Sequence, residues 1–363
     1  MTMPSFRKIF VFLPAIVFLL SPVSVAFQME PLPNQFQGLF DSEEILEITL
    51  EGDIRTLQRD RGSDPSNHPM KLHVKGEEVE EYLDLRVRVR GNFRRLRDNC
   101  RTPPLRLNFN RHPAPDHSLF AGQSTLKLVV PCQGDQYVLR EYLTYKLYNL
   151  FTEHSFRARL VRLTYHDTEN DRKSDPEYAF ILEHINDVVS RNNAQRITRL
   201  QLRPEVVDQA AFLRMSVFEY LIGNTDWSIQ YLQNINMLFL EDEKIYVAVP
   251  YDFDLAGLVS APYAKPEEAL KLSSVRERRF RGYCLEDLSV LEPVFEQFRE
   301  LKPEIYKVIT ENPLLEASYI NFATRYLDDF YDTINDPRKM SRDFSYPCNR
   351  RGTGNVVITG MQN

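Results

Sequence analysis

Short stretches in the first half of the chain alternate between apolar and polar residues, as β-strands with one buried face do. The clearest stretch is 83–90, where Arg86, Arg88 and Arg90 alternate with leucine and valine. Similar alternation predicts further strands at 45–50, 105–109, 126–130, 160–165 and 178–182. We therefore expect the first half to be rich in β-structure.

Apolar residues at helical spacing dominate the second half and interrupt the first half once. A single helix at 137–151 is predicted between the strands of the first half. In the second half, the pattern predicts helices at 204–222, 288–298 and 315–334, and a β-hairpin at 235–240 and 245–251. Residues after 337 are mostly polar, so we expect them to be loosely held.

This order of elements predicts an α+β protein with a two-lobed, protein-kinase-like fold. A β-rich N-lobe with one helix is expected at 27–185. An α-rich C-lobe with the inserted hairpin is expected at 186–337, followed by a C-terminal tail at 338–363.

Residues 1–26 are predicted to be a secretory signal peptide. Arg7 and Lys8 precede an apolar run at 9–20, and Ser24-Val25-Ala26 supplies small residues before a cleavage site. An uncleaved membrane anchor is the alternative. No later stretch reaches the ~18 apolar residues that span a bilayer. We therefore expect an exported protein, periplasmic or extracellular, without a transmembrane segment after cleavage.

The chain has four cysteines, an even number that favours disulfides in an exported protein. Four cysteines allow three connectivities. Because Cys100 and Cys132 lie in the same β-rich half, we predict the pairs Cys100–Cys132 and Cys284–Cys348. No cysteine belongs to a C-x-x-C motif, which argues against a zinc ribbon.

Charge and glycine content argue against two classes of ligand site. The chain has 45 basic and 51 acidic residues and a net charge of −6, so a nucleic-acid partner is not expected. Only 13 residues are glycine, and neither G-x-x-x-x-G-K-[ST] nor G-x-G-x-x-G occurs. A glycine-rich phosphate loop is therefore not predicted.

Acidic and amide side chains cluster around the predicted hairpin. Asp226 follows a helix, and Asn234 opens the first strand of the hairpin. Asp252 and Asp254 end the second strand two residues apart, so both carboxylates are expected on one side. Oxygen ligands grouped in this way suit Mg²⁺ or Mn²⁺, and a separate aspartate suits the acceptor hydroxyl of phosphoryl transfer. Turn and cap formation is the alternative role of these residues.

Basic residues of the β-rich half could bind phosphate. Arg90 and Arg94 belong to or follow the arginine face of 83–90, and guanidinium groups suit phosphate oxygens. Lys127 alternates with leucines, and Glu141 lies opposite the leucine stripe of the next helix, so the two could pair at a nucleotide. A solvated arginine face, a surface lysine and a solvated glutamate are the alternatives.

Two further features are less specific. Trp227, the only tryptophan, either walls the site or packs beneath its loop. The arginine-rich stretch 276–281 could dock a substrate, although we expect it to be an exposed helix or loop.

In their order along the chain, these segments resemble the CotH family of atypical, secreted protein kinases. The resemblance runs from about Leu83 to Asp254, and each segment alone is loose. The segments are Arg88-Val89-Arg90-Gly91-Asn92-Phe93-Arg94, Leu126-Lys127-Leu128, Arg140-Glu141-Tyr142-Leu143, Phe180-Ile181-Leu182-Glu183, Gly223-Asn224-Thr225-Asp226 and Pro250-Tyr251-Asp252-Phe253-Asp254. The family has a pared-down kinase fold without the usual glycine-rich loop.

The resemblance implies a nucleotide site in the β-rich half. Lys127 would bind the phosphates of ATP, and Glu141 would hold Lys127. The arginines Arg90 and Arg94, inferred above from the residues themselves, could supply the phosphate contacts that a glycine-rich loop usually gives. Glu183 would lie in the link between the lobes, near the adenine.

The resemblance also implies a catalytic and metal site around the hairpin. Asp226 would be the catalytic acid, and Asn234 and Asp252 would bind Mg²⁺ or Mn²⁺, with Asp254 as a second contact. In ordinary kinases the metal-binding asparagine follows the catalytic aspartate after five residues, whereas eight separate Asp226 from Asn234 here. Either the turn at 227–233 loops out, or Asn234 is not the ligand.

Three functions are consistent with the sequence. The leading hypothesis is an exported, metal-dependent kinase that transfers the γ-phosphate of ATP to a protein hydroxyl. The alternative is a catalytically inactive, kinase-like protein that binds partners at the cell surface or envelope. A third is phosphotransfer to a small molecule or glycan.

Overall fold

The computed structural model describes residues 38–282 and 285–345. The predicted signal peptide, the predicted Cys284–Cys348 disulfide and most of the predicted tail lie outside these residues.

The strands of the first half form one sheet that closes on itself. Their bounds are β1 (Leu46–Gly52), β2 (His68–Lys75), β3 (Glu80–Val89), β4 (Leu105–Asn108), β5 (Thr125–Val129), β6 (Ala158–Asp167), β7 (Arg172–Lys173) and β8 (Glu177–Leu182). Within residues 38–282, seven strands pair in the order β1-β2-β3-β4-β5-β8-β6, and β6 pairs again with β1. We call this closed sheet the barrel; β7 extends β6 as a short hairpin.

The barrel closes through a parallel pairing of β1 with β6, in which Leu46 lies opposite Val161. Leucines and valines at alternating strand positions fill its interior, and the intervening polar residues face outward. The predicted β-rich first half is therefore confirmed. Closure was not predicted, because alternation marks a buried face but does not identify the partner of a strand.

The first half contains an additional helix beside the predicted one. Helix α1 (Ile54–Arg59) is short, and the side chain of Asp53 caps it by accepting a hydrogen bond from the Thr56 N–H. Helix α2 (Asp135–Asn149) matches the prediction and is buried on most sides. It contacts β8 and β6 on one side and a helix of the second half on the other.

The second half is mostly helical, as predicted. Its elements are α3 (Ile185–Arg191), β9 (Ala194–Ile197), α4 (Gln209–Ile222), β10 (Ile235–Leu240), β11 (Ile245–Pro250), α5 (Glu292–Glu300), α6 (Lys302–Thr310), α7 (Ala317–Asn335) and α8 (Pro337–Phe344). Strands β10 and β11 form the predicted hairpin, and β9 adds to the β10 edge. The mixed α+β class is therefore confirmed.

The expectation that residues after 337 are loosely held is wrong for helix α8. Asp336 caps this helix by accepting hydrogen bonds from the N–H groups of Arg338 and Lys339. The helix buries Phe344 against the rings of Tyr220 and Phe280. One aromatic side chain at the end of a polar segment was too weak a signal to predict this docking.

Two hydrophobic clusters divide the described residues. The first is the aliphatic interior of the barrel, and the second is an aromatic-rich core around α2, α4 and α7. Strand β8 contributes to both, since Ile181 faces the barrel and Phe180 faces the second core. The proposed lobe boundary after residue 185 stays a prediction. No helix in the described part of the chain is long and apolar enough to cross a membrane.

Candidate functional site

A cleft of about 790 Å³ lies between the outer face of the barrel and the turns that follow α4 and β11. The predicted site residues that line it are Arg90, Arg94, Lys127, Asp226, Asn234, Asp252 and Asp254. Glu141 and Glu183 are not among the described residues that line it. The cleft has one cationic wall, from the barrel side, and one acidic wall, from the turns.

Lys127 lies on the cationic wall because strand alternation turns it outward while Leu126 and Leu128 fill the barrel. Its ammonium group lies 4.3 Å from the centre of the Tyr251 ring. Burial, aided by the nearby charge of Arg90, lowers the pKa of Lys127 to about 7. An anion beside Lys127 would counteract the effects of burial and of Arg90 on this pKa, because a negative charge favours the protonated amine.

The loop between β3 and β4 forms the mouth of this wall and is held at several points. The Cys100–Cys132 disulfide ties it to the residues after β5, which confirms that predicted pair. The Arg61 side chain donates hydrogen bonds to the carbonyls of Cys100 and Arg101. A loop held in this way can present cations without the glycine-rich sequence that phosphate loops usually have.

The side chain of Arg94 extends from this loop and is buried between two carboxylates. Its Nη1 lies 3.7 Å from Glu141 Oε2 and 3.8 Å from Asp254 Oδ2. Burial opposes its charge, but Tyr263, Asp254 and Glu141 outweigh burial, so the pKa of Arg94 is raised. Among the described residues, Glu141 pairs with Arg94 and forms no ion pair with Lys127, which differs from the predicted Lys127–Glu141 pair.

Glu141 is 2% exposed, so the alternative of a solvated glutamate is wrong. Burial, together with the charge of Asp254, raises the pKa of Glu141 well above its ordinary value. Its position in the middle of α2 places it beneath the cleft, where it supports Arg94.

The acidic wall begins where α4 ends. Gly223 ends the helix with φ +68°, a left-handed conformation that glycine adopts without strain. A Cβ atom at this position would lie 2.1 Å from the Tyr326 hydroxyl oxygen. Both constraints require glycine, and the resulting sharp turn directs the next residues toward the cleft.

Asp226 lies in this turn and is held by its neighbours. Asn234 Nδ2 donates hydrogen bonds to the backbone oxygen and to Oδ2 of Asp226, each at 2.8 Å. Burial, together with the charge of Asp252, raises the pKa of Asp226 to about 6. A carboxyl group with this pKa is suited to exchange protons near neutral pH.

Arg281 braces the turn from behind. It is buried, and its Nη1 donates hydrogen bonds to the carbonyls of Thr225 and Trp227 on either side of Asp226. The expectation that the stretch 276–281 is exposed is therefore wrong at Arg281. Trp227 packs beneath the loop, with Arg281 over its ring, and is not among the described residues that line the cleft.

Glu219 is a buried acid of α4 beneath the same turn. Its backbone oxygen accepts a hydrogen bond from the Asn224 N–H. Burial raises the pKa of the Glu219 side chain to about 8, against the opposing effects of Asn224 and Arg281. This residue could not be predicted from the sequence, because a glutamate in an apolar helix belongs to no motif.

Asn234 and Asp252 lie at the open end of the hairpin, where the Asn234 carbonyl accepts a hydrogen bond from the Tyr251 N–H. Strand β11 ends at Pro250, and Asp252 has φ 67°, so the expectation that Asp252 and Asp254 end the strand is wrong, although both line the cleft. Asn234 also has a positive φ, of 50°. Left-handed conformations at residues other than glycine concentrate at functional sites, and Asn and Asp tolerate them best.

Two tyrosines that the sequence analysis missed position the Asp252–Asp254 segment. Tyr145 of α2 accepts a hydrogen bond from the Asp252 N–H at 2.8 Å, and Tyr263 donates to Asp254 Oδ2 at 3.0 Å. Burial, together with the charge of Asp252, raises the pKa of Asp254. In the sequence, the tyrosines on the second side of the predicted helix at 137–151 were the feature that could have indicated a role for Tyr145.

Glu183 does not reach the cleft. It follows β8, where the chain passes to α3, and is almost fully buried. Its Oε1 accepts a hydrogen bond from Arg191 Nε, and its Oε2 accepts one from the Arg157 N–H. Through these contacts, the Glu183 carboxylate links the end of β8 to α3 and to the start of β6.

The acidic wall carries oxygen atoms of the kind that a hard divalent cation binds. Within 38–282 and 285–345, no group of three or more His, Cys, Asp or Glu side chains is placed to hold a metal ion. Asn234 is outside that count, and since its amide nitrogen is used by Asp226, its Oδ1 remains as an acceptor. Two carboxylates and one amide oxygen suit Mg²⁺, which keeps several of its waters.

Comparison with known proteins gave weak similarity to solved structures alone. No family model matches the chain, and no curated protein matches it. Among solved structures, the chain is similar to the proinflammatory kinase CtkA of Helicobacter pylori, with 12% identity over 66% of this chain and 94% of that chain. The TM-score of 0.36 is too low to carry an argument. The geometry of the cleft therefore carries the case for function.

Proposed function

We propose that the chain is a two-lobed, kinase-like phosphotransferase that uses a divalent metal to transfer the γ-phosphate of ATP to a protein hydroxyl. The supporting observation is that one cleft opposes the cations Arg90 and Lys127 to the acids Asp226, Asp252 and Asp254. Phosphoryl transfer needs this combination, because cations hold the phosphates and carboxylates hold the metal and orient the acceptor.

The cationic wall would bind the phosphates of ATP. Lys127 lies on β5, and Arg90 directly follows β3. Arg94, which the sequence pattern assigned to the nucleotide phosphates, instead joins Glu141 to Asp254 and sets the position of the acidic segment.

The acidic wall would hold the metal and activate the acceptor. Asp252, Asp254 and the Asn234 amide oxygen would hold Mg²⁺ or Mn²⁺, which when bound neutralises phosphate charge. Asp226 accepts the proton of the attacking protein hydroxyl, and Asn234 keeps its carboxylate oriented toward the cleft.

The setting of this activity follows from the predicted organisation. We propose the N-lobe at 27–185 and the C-lobe at 186–337, with the cleft between their walls. The Cys100–Cys132 disulfide is compatible with export, and we propose a periplasmic or extracellular location after removal of residues 1–26.

Transfer of radiolabelled phosphate from ATP to a protein acceptor tests the proposal. We expect Asp226→Asn to lower the rate by at least about 100-fold, because a general base contributes that much. Asp116→Asn, at an exposed loop position, is the matched control and should keep the wild-type rate. Nucleotide binding without transfer in the wild-type protein would favour the inactive, partner-binding alternative.

Removal of the metal tests the acidic wall separately. We expect a chelator to abolish transfer, and Mg²⁺ or Mn²⁺ to restore it in the wild-type protein but not in Asp252→Asn. Transfer that persists in excess chelator would contradict the assigned metal ligands.

A further inference from the structure

Cations occupy directly opposed positions on three neighbouring strands of the barrel. Arg88 of β3 lies opposite Arg106 of β4, and Arg106 lies opposite Lys127 of β5. All three alternate with residues that fill the barrel, so all three face outward. Like charges in opposed positions on a sheet are destabilising, so the fold itself gives no reason for this arrangement.

Two more cations extend this set. Arg90 follows Arg88 on the same face at the end of β3, and Arg196 of β9 is close enough to disfavour the charge of Lys127. We call the five residues Arg88, Arg90, Arg106, Lys127 and Arg196 the cationic row.

Acidic partners for the cationic row are scarce. Among the described residues, only Arg88 of the row forms an ion pair, with an Asp64 side chain that is 90% exposed. Burial, together with the charges of Arg90 and Arg88, lowers the pKa of Arg106, as expected for cations that repel each other. An anionic ligand would supply the missing counter-charge.

The cationic row is longer than the phosphate site of the cleft. Lys127 and Arg90 line the cleft, whereas Arg88, Arg106 and Arg196 are not among the described residues that line it. Neighbouring strands lie about 4.8 Å apart, so Lys127, Arg106 and Arg88 recur at that spacing across β5, β4 and β3. A ligand that used the entire row would begin at the proposed donor phosphates and continue beyond them.

We propose that the cationic row binds a linear phosphate chain longer than the triphosphate of a nucleotide. This inference rests on the proposed function for the role of Lys127 at the donor phosphates. An acidic peptide is a poorer fit, because carboxylates on one face of an extended chain recur only every ~7 Å, whereas every unit of a phosphate chain is charged. Guanidinium groups also match phosphate oxygens in shape.

Titration calorimetry with inorganic phosphate chains tests the inference on the full protein. The probes are long-chain inorganic polyphosphate, inorganic tripolyphosphate, ATP and polyglutamate. We expect the long chain to bind at least about tenfold more tightly than tripolyphosphate, because each added charged hydrogen bond contributes about that factor. Equal affinity for the long chain and tripolyphosphate, or equal affinity for polyglutamate and the long chain, would overturn it.

Substitution of exposed members of the row gives the second readout. We expect Arg106→Gln/Arg196→Gln to weaken long-chain binding at least about tenfold and to change ATP binding less than about twofold. Arg172→Gln on β7, also exposed, is the matched control and should bind like the wild type. If the double variant binds the long chain as tightly as this control does, the inference is wrong.

Two measurements keep the inference separate from the proposed function. The unfolding midpoint of Arg106→Gln/Arg196→Gln should equal or exceed that of the wild type, because the change removes repulsion. Transfer from ATP should persist in the double variant. Loss of long-chain binding with normal ATP transfer supports the inference, whereas absent long-chain binding with normal ATP transfer in the wild type overturns the inference alone.

Discussion

The cationic wall of the cleft carries its charges on regular strand positions, whereas the acidic wall carries its charges on turns after α4 and β11. Lys127 is directed outward by the alternation of β5, and Arg90, which directly follows β3, continues the alternation of that strand. Asp226 and Asp252 depend on a left-handed Gly223, on a left-handed Asp252 itself and on hydrogen bonds from other elements. The barrel thus positions its cationic side chains through the regular alternation of its strands. The helical half positions its acidic side chains on turns, each of which is held by contacts with other elements.

The two walls also differ in how their charges are compensated. Burial and the charges of Arg90 and Arg88 lower the pKa of Arg106, whereas Asp226 and Asp254 each accept a side-chain hydrogen bond. Repelling cations at a surface cost little, but buried carboxylates need a partner or a proton. We therefore expect substitutions in the acidic wall to lower the free energy of unfolding more than substitutions in the cationic row do.

Replacing Arg94 should have the largest effect on stability, because this cation of the barrel side is buried against the acids Glu141 and Asp254. Arg94→Met is expected to lower the free energy of unfolding by about 3–5 kcal/mol, since it leaves Glu141 and Asp254 without their cation. The loss should shrink as the pH falls, because both acids have raised pKa values and can be protonated. Urea unfolding at two pH values measures it.

Arg97→Met, at an exposed position of the same loop, is the matched control. The double variant Arg94→Met/Glu141→Gln should recover part of the stability, because one unpaired acid is removed. Equal losses for Arg94→Met and Arg97→Met would show that the two walls are not linked through Arg94.

Opening the disulfide should have the next largest effect and should act on the cationic wall alone. Cys100→Ser/Cys132→Ser is expected to cost about 3–4 kcal/mol, because the bridge closes a loop with a sequence separation of 32 residues. Hydrogen exchange should become faster at 91–104 and stay unchanged at 223–234. Faster exchange in both segments would mean that the walls are held together and not separately.

Glu219 lies beneath the acidic wall, and neutralising it should change how the stability of the protein depends on pH. The raised pKa of about 8 means that the folded protein binds this proton more tightly than the unfolded chain does. Its contribution to stability is therefore present below about pH 4.5 and is lost as the pH rises through 8. Glu219→Gln should remove this loss, which reaches about 3 kcal/mol at pH 7.

Thermal unfolding between pH 5 and pH 9 measures the effect of Glu219→Gln. Glu300→Gln, at an exposed position of α5, is the control and should keep the wild-type slope. A variant Glu219→Gln with an unchanged slope would show that Glu219 is ionised in the folded protein.

Removing Asp64 should have the smallest effect. Asp64→Asn deletes the acid that Arg88 contacts at 2.8 Å, but the pair is exposed, so the cost should be below about 1 kcal/mol. Urea unfolding at low salt measures this cost, which should vanish at high salt because screening removes surface attraction. A cost above that range would mean that the cationic row, like the acidic wall, needs internal compensation.

Much of the cationic wall could be predicted from the sequence. Alternation alone placed Arg88 and Lys127 on the outward faces of their strands, and the structure agrees. The even cysteine count and the β-rich setting predicted the Cys100–Cys132 pair, which also holds. These features depend on local periodicity, which the sequence displays directly.

The acidic wall could be predicted only as a set of residues. Asp226, Asn234 and Asp252 do meet in one cleft, but the strand geometry expected for Asp252 is wrong, because a left-handed residue ends that pattern. The Arg94 partner of Glu141 and the Arg281 brace were not predicted. Both arginines come from distant segments, and their contacts depend on how the chain packs in three dimensions.

The parallel pairing of β1 with β6 has a consequence for the order of folding. Leu46 cannot meet Val161 until the intervening strands have been synthesised. Contacts between residues so distant in sequence form slowly, because the entropy of closing the loop must be lost first. Until β6 arrives, β1 presents an open edge that other chains can pair with. A chain truncated before β6 should therefore aggregate, and an exported chain would need to stay unpaired until its first 167 residues had emerged.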